Sequence, residues 1–154
     1  MKTIIYNDFK KKNNISQDLF KYDLSYQFIH IDKIYHNNKP TIEIIREIKK
    51  KYSSYKQQDK LKKKYDIKYF ITYDELLKKL YDSKLKCYYC ENDLYLTYDS
   101  KKEPHQWSLE RFNNNIGHYN NNTCISCLKC NLQRRTDNHE YFKQSKQLII
   151  KKDE

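Results

Sequence analysis

At 154 residues the chain has room for one domain, or for a small domain with an extension. One glycine and two prolines exclude a linker or low-complexity protein, and no stretch approaches the roughly 18 apolar residues that span a bilayer. The formal net charge of +11 favours polyanionic partners, nucleic acid ahead of an anionic membrane surface.

That charge is uneven. Residues 1–86 carry 21 Lys/Arg against 11 Asp/Glu, whereas residues 87–154 carry 10 against 9. The runs Lys49-Lys50-Lys51 and Lys62-Lys63-Lys64 both fall in the first half. The opening Met1-Lys2-Thr3-Ile4-Ile5-Tyr6 turns polar too soon for a secretory signal. Through residues 1–39 the pattern is mixed, and Phe28, Ile29, Ile31, Ile34 and Tyr35 fit either a strand or a short helix. From Pro40-Thr41 it sharpens. Ile42, Ile45, Ile48, Tyr52 and Tyr55 recur at three- and four-residue intervals behind Thr41 as N-cap, predicting an amphipathic helix with lysines outward. Its extension through 56–66 is left open by the pattern.

Thr72-Tyr73-Asp74-Glu75 has the form of a capping box, in which the threonine caps free amides and the glutamate reaches back. Leu76, Leu77, Leu80 and Tyr81 follow, so a helix delivers the chain to Cys87. Residues 94–103 alternate apolar and polar (Leu94, Leu96, Tyr98) as a strand or hairpin arm would. Trp107 to Phe112 alternates again and predicts a short strand. The turn-rich Asn113-Asn114-Asn115-Ile116-Gly117 leads to a second short strand near 122–127, and a final helix starting around 127–131 carries Arg134 and Arg135.

Cys87-Tyr88-Tyr89-Cys90 and Cys127-Leu128-Lys129-Cys130 are two Cys-x-x-Cys pairs. Two intervening residues let both sulfurs of a pair reach one ion from a tight turn, and Cys87, Cys90, Cys127 and Cys130 together predict a closed structural zinc site. Cys124 offers a competing pair with Cys127. Cys130 is preferred because Asn131 then directly follows a ligand. An odd total of five cysteines, two pairs of them at metal spacing, points to an intracellular reducing compartment, cytoplasm or nucleus, rather than to a disulfide framework.

Ser108-Leu109-Glu110-Arg111-Phe112-Asn113-Asn114, Gly117-His118, Asn122 and Cys127-Leu128-Lys129-Cys130-Asn131 resemble, in order, the zinc-containing HNH endonucleases. More narrowly they are similar to the branch whose first strand reads Ser-x-Asp-Arg-Ile-Asp. The resemblance covers residues 70–136 and implies an α+β fold. Residues 70–140 would form a ββα-metal (HNH) module with a four-cysteine zinc knuckle, after a basic, mainly helical region over 1–69 and before a tail over 141–154.

By this resemblance Glu110 stands where the family has its metal-binding aspartate. Asn131 stands for the metal-binding residue on the helix, and Asn122 for the asparagine that holds the loop across the hairpin. The implied catalytic ion is Mg²⁺ or Mn²⁺, a hard cation for which one carboxylate and one amide oxygen are adequate protein ligation. Glu110 is one methylene longer than the family's aspartate. Arg111 stands where most members carry the general-base histidine, and a guanidinium stays protonated at any working pH. It can grip a phosphate instead. For the base the order of candidates is His118, then His105, then Tyr98 or Tyr119. Lys129, Arg134 and Arg135 flank the knuckle and are candidate phosphate contacts.

The expected function is therefore a metal-dependent endonuclease that hydrolyses phosphodiester bonds in DNA, double-stranded by expectation, with a homodimer as one route to cutting both strands. The alternative, from a different class, is a non-catalytic zinc-knuckle protein that binds nucleic acid. It would keep the cysteines and lysines without needing Glu110 and Asn131 together.

Overall fold

The computed structural model describes residues 24–150, so the sequence expectations for residues 1–23 lie outside the described part. Its α+β architecture sets five helices around one antiparallel strand pair. The helices are α1 (Leu24–Tyr35), α2 (Ile42–Leu61), α3 (Tyr73–Asp82), α4 (Leu128–Arg134) and α5 (His139–Gln147), and the strands are β1 (Trp107–Arg111) and β2 (Thr123–Cys127). No helix among the described residues is long and apolar enough to cross a membrane.

The segment around Ile29–Tyr35, open between strand and helix, is helical. Ile31 and Ile34, three apart, turn inward while Ile29 and Tyr35 stay exposed. Tyr35 stacks on Tyr81 of α3 with ring centroids 4.4 Å apart. Helix α2 follows and runs unbroken to Leu61. Thr41 occupies its N-cap, yet the hydroxyl lies 3.4 Å from His30 Nδ1 and caps no amide, which corrects the expected capping bond. The buried stripe of α2 is Ile44, Ile48, Tyr55 and Asp59. Ile42 is exposed, because two residues from Ile44 is about 200° around a helix.

Helix α3 starts with the predicted capping box: Glu75 N–H donates to Thr72 Oγ1 at 3.2 Å and Thr72 N–H donates to Glu75 Oε2 at 2.9 Å. Leu76, Leu77 and Leu80 are buried beneath it. Residues 94–103 form no strand, contrary to the alternation. Leu94 and Leu96 do point inward, but the backbone there bonds to other partners. Leu96 and Thr97 N–H donate to the buried Gln27 Oε1 of α1, and Tyr95 exchanges bonds with His105 and Trp107. A side-chain amide stands in for the missing neighbouring strand.

The strands pair Trp107 with Cys127, Glu110 with Cys124 and Arg111 with Thr123. Helix α2 lies along the outer edge of β1 and satisfies its free backbone groups: Leu109 N–H donates to Tyr55 Oη at 3.0 Å, and Lys51 Nζ donates to Trp107 O. One apolar core results, with Ile44 and Ile48 of α2 in the same cluster as Leu80, Trp107, Leu109 and Ile125. The basic helix and the strand pair are packed as neighbours.

Candidate metal centre and cleft

The sulfurs of Cys87, Cys90, Cys127 and Cys130 lie within 4.8 Å of one another. In a tetrahedral zinc site with Zn–S near 2.3 Å, sulfurs stand roughly 3.8 Å apart, so this donor set fits zinc with little closing movement. Backbone amides already face the sulfurs: Cys127 N–H donates to Cys87 Sγ and Cys130 N–H to Cys127 Sγ, both at 3.3 Å. The first knuckle turns through Glu91 at φ 60°, whose N–H returns to Cys87 O. Cys124 is buried opposite Glu110 and stands outside the cluster, which decides between the two pairings in favour of Cys130.

Cys127 is also the N-cap of α4, so the cysteine knuckle sets the position of that helix. Helix α4 lies against the hairpin face made by Ser108 and Glu110 of β1 with Cys124 and Ser126 of β2. Asn131 Nδ2 donates to Ser108 Oγ at 3.2 Å. One turn on, Arg134 Nη1 donates to Glu110 Oε1 at 2.9 Å.

Arg134 is 2% exposed and spends its guanidinium inward, on Glu110, on the carbonyls of Arg111 and Phe112, and on Asp137 O. Arg134, expected as a phosphate contact, is thus committed to the protein interior. The side chain clasps the end of β1 to α4. Burial raises the Glu110 carboxyl to about 7, against the opposing pull of Arg134. The second carboxylate oxygen, Oε2, is buried with no hydrogen-bond partner. An orphaned carboxylate oxygen is costly in a packed interior and is a ready ligand for a cation.

Glu110, Arg111, His118, Asn131 and Arg135 line one cleft of about 390 Å³, closed on its far side by Tyr55, Gln58, Lys62 and Lys64 from α2 and its end. Arg111 is half-buried and directs Nη1 to the Ile116 carbonyl at 3.2 Å. Arg135 is exposed at the end of α4, with φ 52°. Lys129 is exposed outside the cleft, and Arg134 lies beneath it.

Asn122 is buried and ties the loop together. Its Oδ1 accepts from Asn113 N–H at 2.9 Å, and its Nδ2 donates to the carbonyls of Asn113 and Gly117, both at 3.0 Å. These bonds cross from the start of β2 to the loop after β1. The other base candidates lie apart from the cleft: His105 packs edge-on against Tyr95, Tyr119 pairs with Tyr69, and Tyr98 lines a separate hollow.

His118 is 3% exposed. Its Nδ1 lies 2.6 Å from Asp59 Oδ1, and its backbone N–H donates to Asp59 Oδ2 at 2.6 Å. Burial pulls the imidazole below its ordinary value, with the Asp59 carboxylate pulling the other way. Asp59 was not among the sequence-derived candidates. Its signal was present: an aspartate four residues after Tyr55, on the buried stripe of an amphipathic helix.

Comparison with protein-family models, with curated proteins and with solved structures finds no match to this chain.

Proposed function

We propose that the chain is a metal-dependent endonuclease that hydrolyses phosphodiester bonds in DNA. The observation that carries this reading is the convergence of Glu110, Arg111, His118 and Asn131 on one cleft, next to a cluster suited to structural zinc. Supporting it, Lys62, Lys64 and Arg135 ring the same cleft, and Lys50 and Lys101 line a second hollow along α2 beside Glu47. Such a row of cations suits a polyphosphate backbone.

Glu110, through its partnerless Oε2, and the Asn131 amide would hold Mg²⁺ or Mn²⁺. When bound, the ion supplies stabilisation of negative charge on the phosphate and leaving oxygen. The chain's own groups do the rest. Arg111 and Arg135 orient the phosphate. His118 takes a proton from the attacking water, whose oxygen forms the new P–O bond. The bond to the leaving sugar oxygen breaks, and that oxygen takes its proton from solvent.

The test is nicking of supercoiled plasmid by zinc-loaded protein with Mg²⁺ or Mn²⁺. Wild type is expected to cut, and Asn131→Ala, at a half-buried position, to lose at least tenfold in rate while keeping its melting temperature. Equal rates in the two proteins would sink the catalytic-metal assignment.

One observation favours a second reading. Glu110 already has an ion-pair partner in Arg134, as a purely structural carboxylate would. On that reading the chain is a zinc-knuckle nucleic-acid-binding protein, and wild type binds DNA with a steep salt dependence but leaves it intact under either metal.

A further inference from the structure

The chain has a single glycine, and its place is informative. A Cβ built on Gly117 would stand 2.5 Å from Asp59 Oδ2 and 2.6 Å from Lys64 O. Real Cβ atoms do not approach so closely. Gly117 therefore lets α2 and its end press directly against the loop, and what that contact delivers is the Asp59 carboxylate onto His118.

The carboxylate is completely buried and holds the loop at two points 2.6 Å away, the His118 backbone N–H and its ring Nδ1. A carboxylate only accepts, so Nδ1 carries the proton and Nε2 is left with its lone pair. Among the described residues Nε2 makes no hydrogen bond, and His118 lines the cleft shared with Glu110 and Asn131. The ring packs on Tyr55 with centroids 5.0 Å apart, which fixes its plane. The charged neighbours are Asp59 and Lys62 from the α2 side and Arg111 from the end of β1.

We infer that Asp59 is a positioning residue that holds His118 as the proton acceptor of the cleft, so that helix α2 supplies part of the machinery which the Arg111 position lacks. The inference rests on the nuclease reading for its chemistry, but the tautomer it requires can be measured without any cleavage.

The decisive variant is Asp59→Asn. An asparagine of the same shape can still accept from the His118 backbone N–H while its amide donates to Nδ1. Both hydrogen bonds survive, but the ring proton moves to Nε2 and the lone pair facing the cleft is lost. Losing a general base typically costs about 10²–10⁴-fold in rate.

In plasmid nicking, Asp59→Asn is expected to lose at least ~100-fold in kcat with DNA affinity within about twofold of wild type. His118→Ala is expected to lose a similar factor, and added imidazole to restore part of its rate but none of that of Asp59→Asn. Nitrogen chemical shifts of His118 in the wild type are expected to show a protonated Nδ1 and a bare Nε2. A wild-type ring protonated on Nε2 alone overturns the inference whatever the activity, and so does an active wild type that Asp59→Asn matches within threefold. Wild type that cuts with neither metal instead overturns the nuclease reading, and His118's catalytic task falls with it.

Discussion

Arg134 is the side chain whose removal should be felt most widely. It is 2% exposed and its Nε, Nη1 and Nη2 bind one carboxylate and three backbone carbonyls. In Arg134→Met the stem is roughly replaced, but Glu110 becomes a buried carboxylate without a partner. Breaking one side of a buried ion pair costs about 3–5 kcal/mol. The variant should therefore show a loss of that order in denaturant unfolding of the zinc-loaded protein at pH 8. The pH dependence gives a second check. Glu110 already sits at about 7, raised by burial and held down by Arg134. A carboxyl raised on folding opposes folding when ionised, so its penalty is absent below the ordinary value of 4.5 and complete once pH has passed the folded value. Without the guanidinium that folded value climbs further. Protonation at pH 6 then relieves the variant more than the wild type, and the gap between them should narrow by about 1 kcal/mol from pH 8 to pH 6. In an Arg134→Met, Glu110→Gln background the narrowing should vanish. A penalty under 1 kcal/mol, or a gap that does not change with pH, would refute the clasp.

Three further outcomes are expected. Zinc analysis should find one ion per chain, lost in Cys130→Ser and retained in Cys124→Ser, and chelation should lower the melting temperature sharply, since α4 begins on Cys127 of the four-cysteine cluster. Gly117→Ala should destabilise by about 1–3 kcal/mol through overpacking, read as a shift in denaturant midpoint; an unchanged midpoint would show that α2 and the loop are not in close contact. Arg135→Gln should weaken DNA binding and reduce the salt slope of log K by about one, whereas the same change at Lys129, outside the cleft, should leave cleavage rate unchanged.

Local chemistry made part of this structure readable from the residues. The Thr72–Glu75 box needs only its own four residues, and the cysteine pairs need only their spacing and one ion. The antiparallel pairing of 107–111 with 123–127 follows from two short apolar runs joined by a turn-rich loop. Long-range partners were not readable in this way. Residues 94–103 alternate like a strand but find the Gln27 amide 70 positions away in sequence, and nothing local to either segment announces that bond. Arg134 looks like a surface cation until the carbonyls of Arg111 and Phe112 are placed above it. Asp59 was visible as an acid on an apolar stripe, but its partner was not.

On the proposed nuclease reading, that last pair bears on where the catalytic unit ends. A proton acceptor placed in a loop of asparagines would be free to rotate, and a bare imidazole in an interior loses its charge-bearing form. The Asp59 carboxylate opposes both effects at once, fixing one ring nitrogen and leaving the other open to the cleft. It can do so because α2 runs unbroken over its full 20 residues, is held along β1 by Tyr55 and Lys51, and meets a loop that carries no side chain at Gly117. On that nuclease reading, α2 and its end would have two tasks, offering Lys62 and Lys64 to the cleft and one carboxylate to a histidine. Resemblance confined to residues 70–136 captures neither.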